Sequence, residues 1–332
     1  MVLWAHGEHV SYDLDDAGSG VRIGVVDTLL ETDIEGIEVV EQECCLRPDP
    51  DEARTGDHGK SVTNIAGWYA PEGEFCLYQA ADRPPESAER ANRLHQMAFA
   101  RAVEAAIEHD VALLNVSAGR YEPECVDGHC IFCEQATRAV AQGVSVVAAA
   151  GNNPEAGIHC PSRAQDAISV SGVEFRCTAP LRRTPNVRSA RPELAYWTQL
   201  WSEEQYPTLV ASDTYCTTRG CWRDESTCAE NMEVAPWDRN PVPDSHNPTV
   251  LSPLHYVGKK NERAPYIWAA SSFATPVVTG CLAGILSVLE GSPAPYTIQN
   301  AVRNAANETL DGEAGIFDAR ATLEELEREV GA

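Results

Sequence analysis

Four polar residues stand where apolar runs stop. Asp27 closes "VRIGVVD" (21–27), and His58 lies in "DHGKSVTNIAG" ahead of a segment with helical character. Asn152 follows "VSVVAAAG", and Ser271 and Ser272 precede an apolar stretch running from Ala274 to Glu290. A carboxylate, an imidazole, a primary amide and a hydroxyl are the groups that acyl transfer requires. A serine hydroxyl is a poor nucleophile until a base takes its proton during attack. An imidazole titrates close enough to neutrality to be that base. A carboxylate behind it fixes the tautomer and stabilises the imidazolium. A side-chain amide can donate to the negative charge that develops on the substrate carbonyl oxygen. Each residue alone also has a plain structural reading: Asp27 as a turn cap, His58 as a surface residue, Asn152 as a turn residue, Ser272 as a helix N-cap. The chemical reading rests on all four falling at strand ends or helix starts.

The elements that must position them follow from periodicity. Continuous apolar runs at 21–27, 75–80, 111–117, 144–151 and 167–173 predict buried parallel strands. Helical spacing predicts helices over 89–110, 133–142, 274–290, 297–310 and 318–330, with Gly143 ending the second. Strands alternating with helices predict an α/β fold, a parallel sheet covered on both faces. In such sheets reactive groups gather beyond the carboxyl ends of the strands. Residues 175–265 break the rhythm. They are rich in Pro, Trp and Cys, and apart from a candidate short strand "PTLVAS" (207–212) they read as long loops. The tryptophans Trp197, Trp201, Trp222 and Trp237 suggest a satellite core pinning those loops.

The segments "VVDT", "HG" at 58–59, "NVSAG" (115–119), "AAAGN" (148–152), "CPSRAQDAISVSGV" (160–173), "SSFATPVVTG" (271–280) and "GEAGIFDA" (312–319) occur in that order. On them the chain resembles the subtilisin-like serine proteases over about residues 20–325, with 175–265 loosely matched. The resemblance implies a three-layer, doubly wound, mostly parallel sheet. It implies a peptidase domain over 19–332, carrying an insertion at about 175–265, behind a short N-terminal extension, 1–18, that could cover the cleft. It makes Asp27, His58 and Ser272 the catalytic triad and Asn152 the oxyanion donor. Ser117, Ala118 and Gly119 match the edge that pairs with the substrate backbone, Ala149, Ala150 and Gly151 the opposite wall, and His159 falls near the pocket floor. Ser271 stands where the family has Thr, and Ala270 where it has Gly. The activity implied is a serine endopeptidase working through an acyl-enzyme, with the long insertion pointing to a dedicated processing protease. The alternatives are a peptide-binding pseudoenzyme and a peptide ligase or cyclase on the same fold. No cofactor is required. Only about a dozen residues separate His58 from "AP" (70–71), so the calcium-binding loop of many relatives is not expected.

The chain has 332 residues and a formal net charge of −25, with 50 acidic against 25 basic residues and only Lys60, Lys259 and Lys260 as lysines. Such a surface repels nucleic acid and anionic membranes, so the expected partner is a protein or peptide substrate. It also repels itself unless screened, which suggests a halophilic setting. The start lacks the pattern of a secretory signal, which points to the cytoplasm, or to secretion if a targeting segment has been removed. Oligomeric state is not legible.

Twelve cysteines are many for a reducing compartment. "CVDGHCIFC" supplies Cys125, Cys130 and Cys133, and Cys160 flanks the same pocket. These could hold a structural zinc, with His129 as a further donor. Disulfides and free thiols are the other readings. Cys216, Cys221 and Cys228 form a second, irregular group, while Cys281 in an apolar helix reads as core.

Overall fold

The structure is a computed structural model that describes residues 17–28, 34, 36–46, 57–82, 93–125, 128–153, 155–177, 197–199, 214–216, 221–223, 232–236, 249–253, 255–259, 265–306 and 314–331. Among them the strands are β1 (Arg22–Asp27), β2 (Glu38–Cys44), β3 (Glu74–Gln79), β4 (Ala81–Asp82), β5 (Arg93–Leu94), β6 (Leu113–Val116), β7 (Ser145–Ala149), β8 (Ile168–Cys177), β9 (Trp197–Gln199), β10 (Thr214–Cys216), β11 (Cys221–Arg223), β12 (Met232–Pro236), β13 (Val250–Pro253), β14 (His255–Lys259) and β15 (Pro265–Ala269). The helices are α1 (Asp57–Tyr69), α2 (Gln96–Glu108), α3 (Ile131–Ala141), α4 (Ser271–Val288), α5 (Pro295–Ala305) and α6 (Ala319–Val330).

The central sheet has the order β12-β8-β7-β6-β1-β3-β2, with β13 also on β8. All its pairings are parallel except that of β12 with β8. The apolar runs are continuous because both faces are covered, and alternate residues feed opposite cores. Ile23, Val25, Phe75, Leu77, Leu113 and Val147 pack toward α1, α4, α5 and α6. Val26, Cys76, Tyr78, Leu114, Val116, Val146 and Ala148 pack toward α2 and α3. The result is three layers, an α/β architecture with helices on both faces of a mostly parallel sheet. Helix α4 is long and apolar enough to cross a bilayer, yet it is mostly buried as the central helix of one face. Cys281 on it is fully enclosed, and burial pushes its thiol well up.

Three expectations change. The helix expected over 89–110 begins at Gln96. Arg93 and Leu94 pair with Asp82 and Ala81, and the extended His95 (φ −101, ψ 133) is its N-cap. The polar strand β2 was not foreseen, because it is a half-exposed edge with little apolar patterning. The insertion is not loop throughout: β12 and β13 both join the sheet at β8. "PTLVAS" (207–212), Trp201, Trp237, Cys228 and residues 1–16 lie outside the described residues, as do the side chains of Trp197, Trp222, Cys216 and Cys221.

Candidate active site

Asp27 ends β1 at the carboxyl edge of the sheet and is 1 % exposed. Its carboxylate accepts from the Thr28 N–H (2.7 Å) and meets His58 Nδ1 at 2.8 and 3.0 Å. A carboxylate only accepts, so Nδ1 donates and Nε2 is left as the basic nitrogen. His58 itself lies in the first turn of α1, one fifth exposed. The start of α1 is tied to the end of β1, because Thr28 Oγ1 accepts from the Gly59 N–H (3.3 Å).

Ser272 opens α4. Neither serine is the N-cap of this helix: that position is Ala270, whose side chain makes no capping bond. Ser272 is 8 % exposed, and the next ring, Phe273, lies 5.5 Å from the His58 ring. About two turns further along each helix α1 and α4 touch again, at Ala66 and Gly280. A Cβ on Gly280 would stand 2.4 Å from the Ala66 carbonyl oxygen, so only glycine permits this approach. Contacts near the starts and again at equal depth mean that the helices run side by side in the same sense. His58 and Ser272 are therefore brought to one end of the pair.

The hydroxyl ahead of Ser272 has a different task. Ser271 donates from both its N–H (2.8 Å) and its Oγ (2.9 Å) to Asn152 Oδ1, and its Oγ accepts from the Gly151 N–H (3.2 Å). The acceptor end of the Asn152 amide is thereby occupied, which turns the Nδ2 donor end away from Ser271.

A buried chain of hydrogen bonds holds Ser272 from behind. In an unbroken helix its carbonyl would accept from the N–H at position 276, which is Pro276 and has none. Ser117 Oγ donates to that carbonyl instead (2.9 Å). Ser117 Oγ accepts from Asn115 Nδ2 (2.9 Å), and Asn115 Oδ1 accepts from Thr279 Oγ1 (3.0 Å). Ser117 was expected as a substrate contact; its hydroxyl is committed to the Ser272 carbonyl. Thr28 and Asn115 were not singled out from sequence, and Ser271 only as the residue ahead of Ser272. For Asn115 a signal existed: an amide inside an apolar strand needs a buried partner.

The two candidate walls converge. Arg120 and Cys160 exchange backbone hydrogen bonds in both directions (2.9 Å each), and the His159 N–H donates to the Ala150 carbonyl (2.8 Å). Segments 117–120, 149–151 and 158–160 thus form one unit. Gly151 has φ +112°, and a Cβ there would lie 2.9 Å from the His159 ring. His159 also faces the Tyr121 ring at 6.3 Å. Burial, helped by the Arg163 cation, lowers its pKa below the ordinary imidazole value.

Beneath this unit the sulfurs of Cys125, Cys130, Cys133 and Cys160 all lie within 4.8 Å of one another. Burial works to raise Cys130, but the Cys133 N–H and the neighbouring thiols outweigh it and hold Cys130 below the ordinary thiol value. Burial pushes Cys125 up to about 12, and the hydrogen bond with Cys133 pushes Cys160 up.

The profile of the Subtilase family matches residues 18–321. None of the curated proteins compared matches the chain. Among solved structures the fold is similar to that of the prenylagaramide maturation protease PagA, with TM-score 0.62 and 16% identity, covering 94% of this chain and 95% of that one. It is also similar to the patellamide maturation protease PatA, with TM-score 0.59 and 15% identity over 94% and 98% of the two chains. The nisin leader peptidase NisP from Lactococcus lactis gives TM-score 0.61 and 14% identity over 97% and 93%. At these identities the likeness is one of fold.

Proposed function

The chain belongs to the subtilase family and is a serine-type peptidase, and from that premise we propose that Asp27, His58 and Ser272 are its triad and Asn152 its oxyanion donor. The observation that carries the proposal is the pairing of the buried Asp27 carboxylate with His58 Nδ1 at 2.8 Å, on the helix that runs beside the one Ser272 opens. In the first half-reaction Ser272 Oγ attacks the scissile carbonyl carbon while His58 Nε2 takes its proton. The C–O bond forms, and the carbonyl electron pair moves to oxygen, where Asn152 Nδ2 and the Ser272 N–H donate to it. The N–H at a helix start carries the favourable end of the helix dipole. Collapse breaks the C–N bond, and His58 Nε2 returns the proton to the leaving amine. Water then attacks the acyl-enzyme with His58 again as base, releasing the acid and restoring the Ser272 hydroxyl.

The substrate is an extended peptide lying along Ser117–Gly119 on one side and Ala149–Gly151 on the other, with His159 between them; the convergence of those segments supports this reading. We assign the chain to precursor processing, cleaving a dedicated peptide once instead of digesting proteins broadly. The neighbours in fold named as maturation proteases and a leader peptidase support that assignment. The test is labelling with a fluorophosphonate. Wild type should label, Ser272→Ala should not, and His58→Ala should label orders of magnitude more slowly. Unchanged labelling of Ser272→Ala would remove Ser272 from the mechanism.

A further inference from the structure

The four thiols have no part in acyl transfer, yet they are gathered from two distant stretches of chain into one place. Cys130 is the N-cap of α3, and Cys133 lies in that helix's first turn. Cys125 is folded back onto them by the loop through Gly128, whose φ of +78° is a left-handed turn that glycine favours. Cys160 arrives from the pocket wall, where its backbone is bonded both ways to Arg120. Cys125, Cys133 and Cys160 are buried, Cys130 is half-buried, and all four are free thiols.

The separations fit one geometry. Four thiolates on a tetrahedral zinc, with Zn–S about 2.3 Å, have edges of about 3.8 Å. Cys125 Sγ and Cys133 Sγ are 3.8 Å apart, and no pair of the four exceeds 4.8 Å. A disulfide requires about 2.05 Å between sulfurs. The surroundings suit an anionic centre. Four thiolates on a divalent ion leave two negative charges. The start of α3 lies at the cluster, with Cys130 as its N-cap and Cys133 in its first turn, and the buried Arg163 guanidinium donates to the Cys125 carbonyl at 2.8 Å. Carboxylate and imidazole donors are absent from this set, and an all-sulfur tetrahedron selects a soft ion.

We infer that Cys125, Cys130, Cys133 and Cys160 bind a single structural zinc ion that fastens the loop 120–133 to the pocket wall at 158–160. The ion takes no part in the chemistry. It adds a coordinate-bond tie between α3 and the segments that carry Cys125 and Cys160, which lie outside the helices and strands. By holding Cys160 it also holds His159 against Gly151 and Gly119, so it secures the width of the cleft. The inference does not depend on the triad assignment, because zinc content is read without activity.

The full chain, purified under reducing conditions, is weighed intact by native mass spectrometry, and its metal is quantified by plasma emission. The expected result is one zinc per chain, with the four thiols unreactive toward a disulfide reagent until the metal is stripped. Refilling the stripped chain with cobalt(II) should give the intense thiolate-to-cobalt charge transfer and visible bands of a tetrahedral sulfur site. Cys130→Ser should lose the zinc while the fold tolerates it, since serine is a favoured N-cap. Cys44→Ser, on the far edge strand, should keep it. If Cys130→Ser does not fold, the wild-type metal content alone decides. A metal-free wild type with four reactive thiols overturns the inference. So does a chain lightened by disulfide bonds, or one that holds iron in place of zinc.

Discussion

Replacing Ser117 by alanine tests whether the nucleophile's backbone is held from behind. The hydroxyl is 2 % exposed and makes two hydrogen bonds of 2.9 Å, donating to the Ser272 carbonyl and accepting from Asn115 Nδ2. Ser117→Ala strips both partners at once, and water does not reach either. A buried group left unsatisfied costs about 1–3 kcal/mol. Asn115 Oδ1 keeps its bond with Thr279 but Nδ2 is orphaned, so the two losses together come to roughly 2–6 kcal/mol. Chemical denaturation of the Ser272→Ala background, which cannot digest itself, should show this loss with an unchanged denaturant slope. Ser117→Thr, which restores the hydroxyl, should recover most of it. In the Ser272 form, the rate of fluorophosphonate labelling should fall with Ser117→Ala and return with Ser117→Thr. A stability change under about 0.5 kcal/mol, no larger than that of an ordinary surface substitution, would refute the reasoning. It would mean that the carbonyl orphaned by Pro276 does not need Ser117.

Gly280→Ala should force α1 away from α4, because the new methyl would stand 2.4 Å from the Ala66 carbonyl. Overpacking of this kind costs about 1–3 kcal/mol, and labelling should slow as well, since His58 shifts relative to Ser272; a variant with wild-type melting and labelling would disprove the coupling. His159 has a lowered pKa in the fold, from burial first and Arg163 second, so the unfolded chain takes up the proton first as pH falls. The contribution is therefore fully present above about pH 6.5 and is lost below it. Melting curves of wild type should fall more steeply than those of His159→Gln between pH 6.5 and about 5, and parallel curves would count against it. With a net charge of −25, the chain should melt higher in about 1 M salt than at about 0.01 M, where charges repel across about 30 Å; a flat salt response would remove the halophilic reading.

Much of the framework was legible because it is written in local pattern. Asp27 and Asn152 end or follow apolar runs, and a run that ends in a polar residue marks the carboxyl edge of a buried strand. Periodicity placed Ser272 at a helix start, and only the resemblance to a family set it apart from a cap. In the fold, the extended Ala270 ahead of the helix and the turn of Ser271 toward Asn152 make the same distinction. Partnerships across the chain were not legible. Pro276 reads as a blemish in a helix until Ser117, from a strand end far earlier, is found donating to the carbonyl it orphans. The strands β12 and β13 were hidden for a similar reason. Each is short and ends in proline, and what makes it a strand is its pairing with β8, not its own alternation.

Those pairings have a consequence for anyone who wishes to shorten this protein. β13 covers β8 from Val170 to Val173, and β12 covers it from Val173 to Cys177 in the opposite direction. Val173 pairs with Pro253 and with Pro236 at once, so the two strands lie on opposite sides of β8 there, β13 on the side away from β7 and β12 beyond the end of β7. β13 thus seals the rim that an open sheet would otherwise offer to a passing chain, while β12 supports the far end of β8. Excising the whole insertion, about 175–265, would remove both strands and bare that rim, and the product should stick to its own copies even if its cleft stayed intact. A safe deletion leaves 232–236 and everything after it in place.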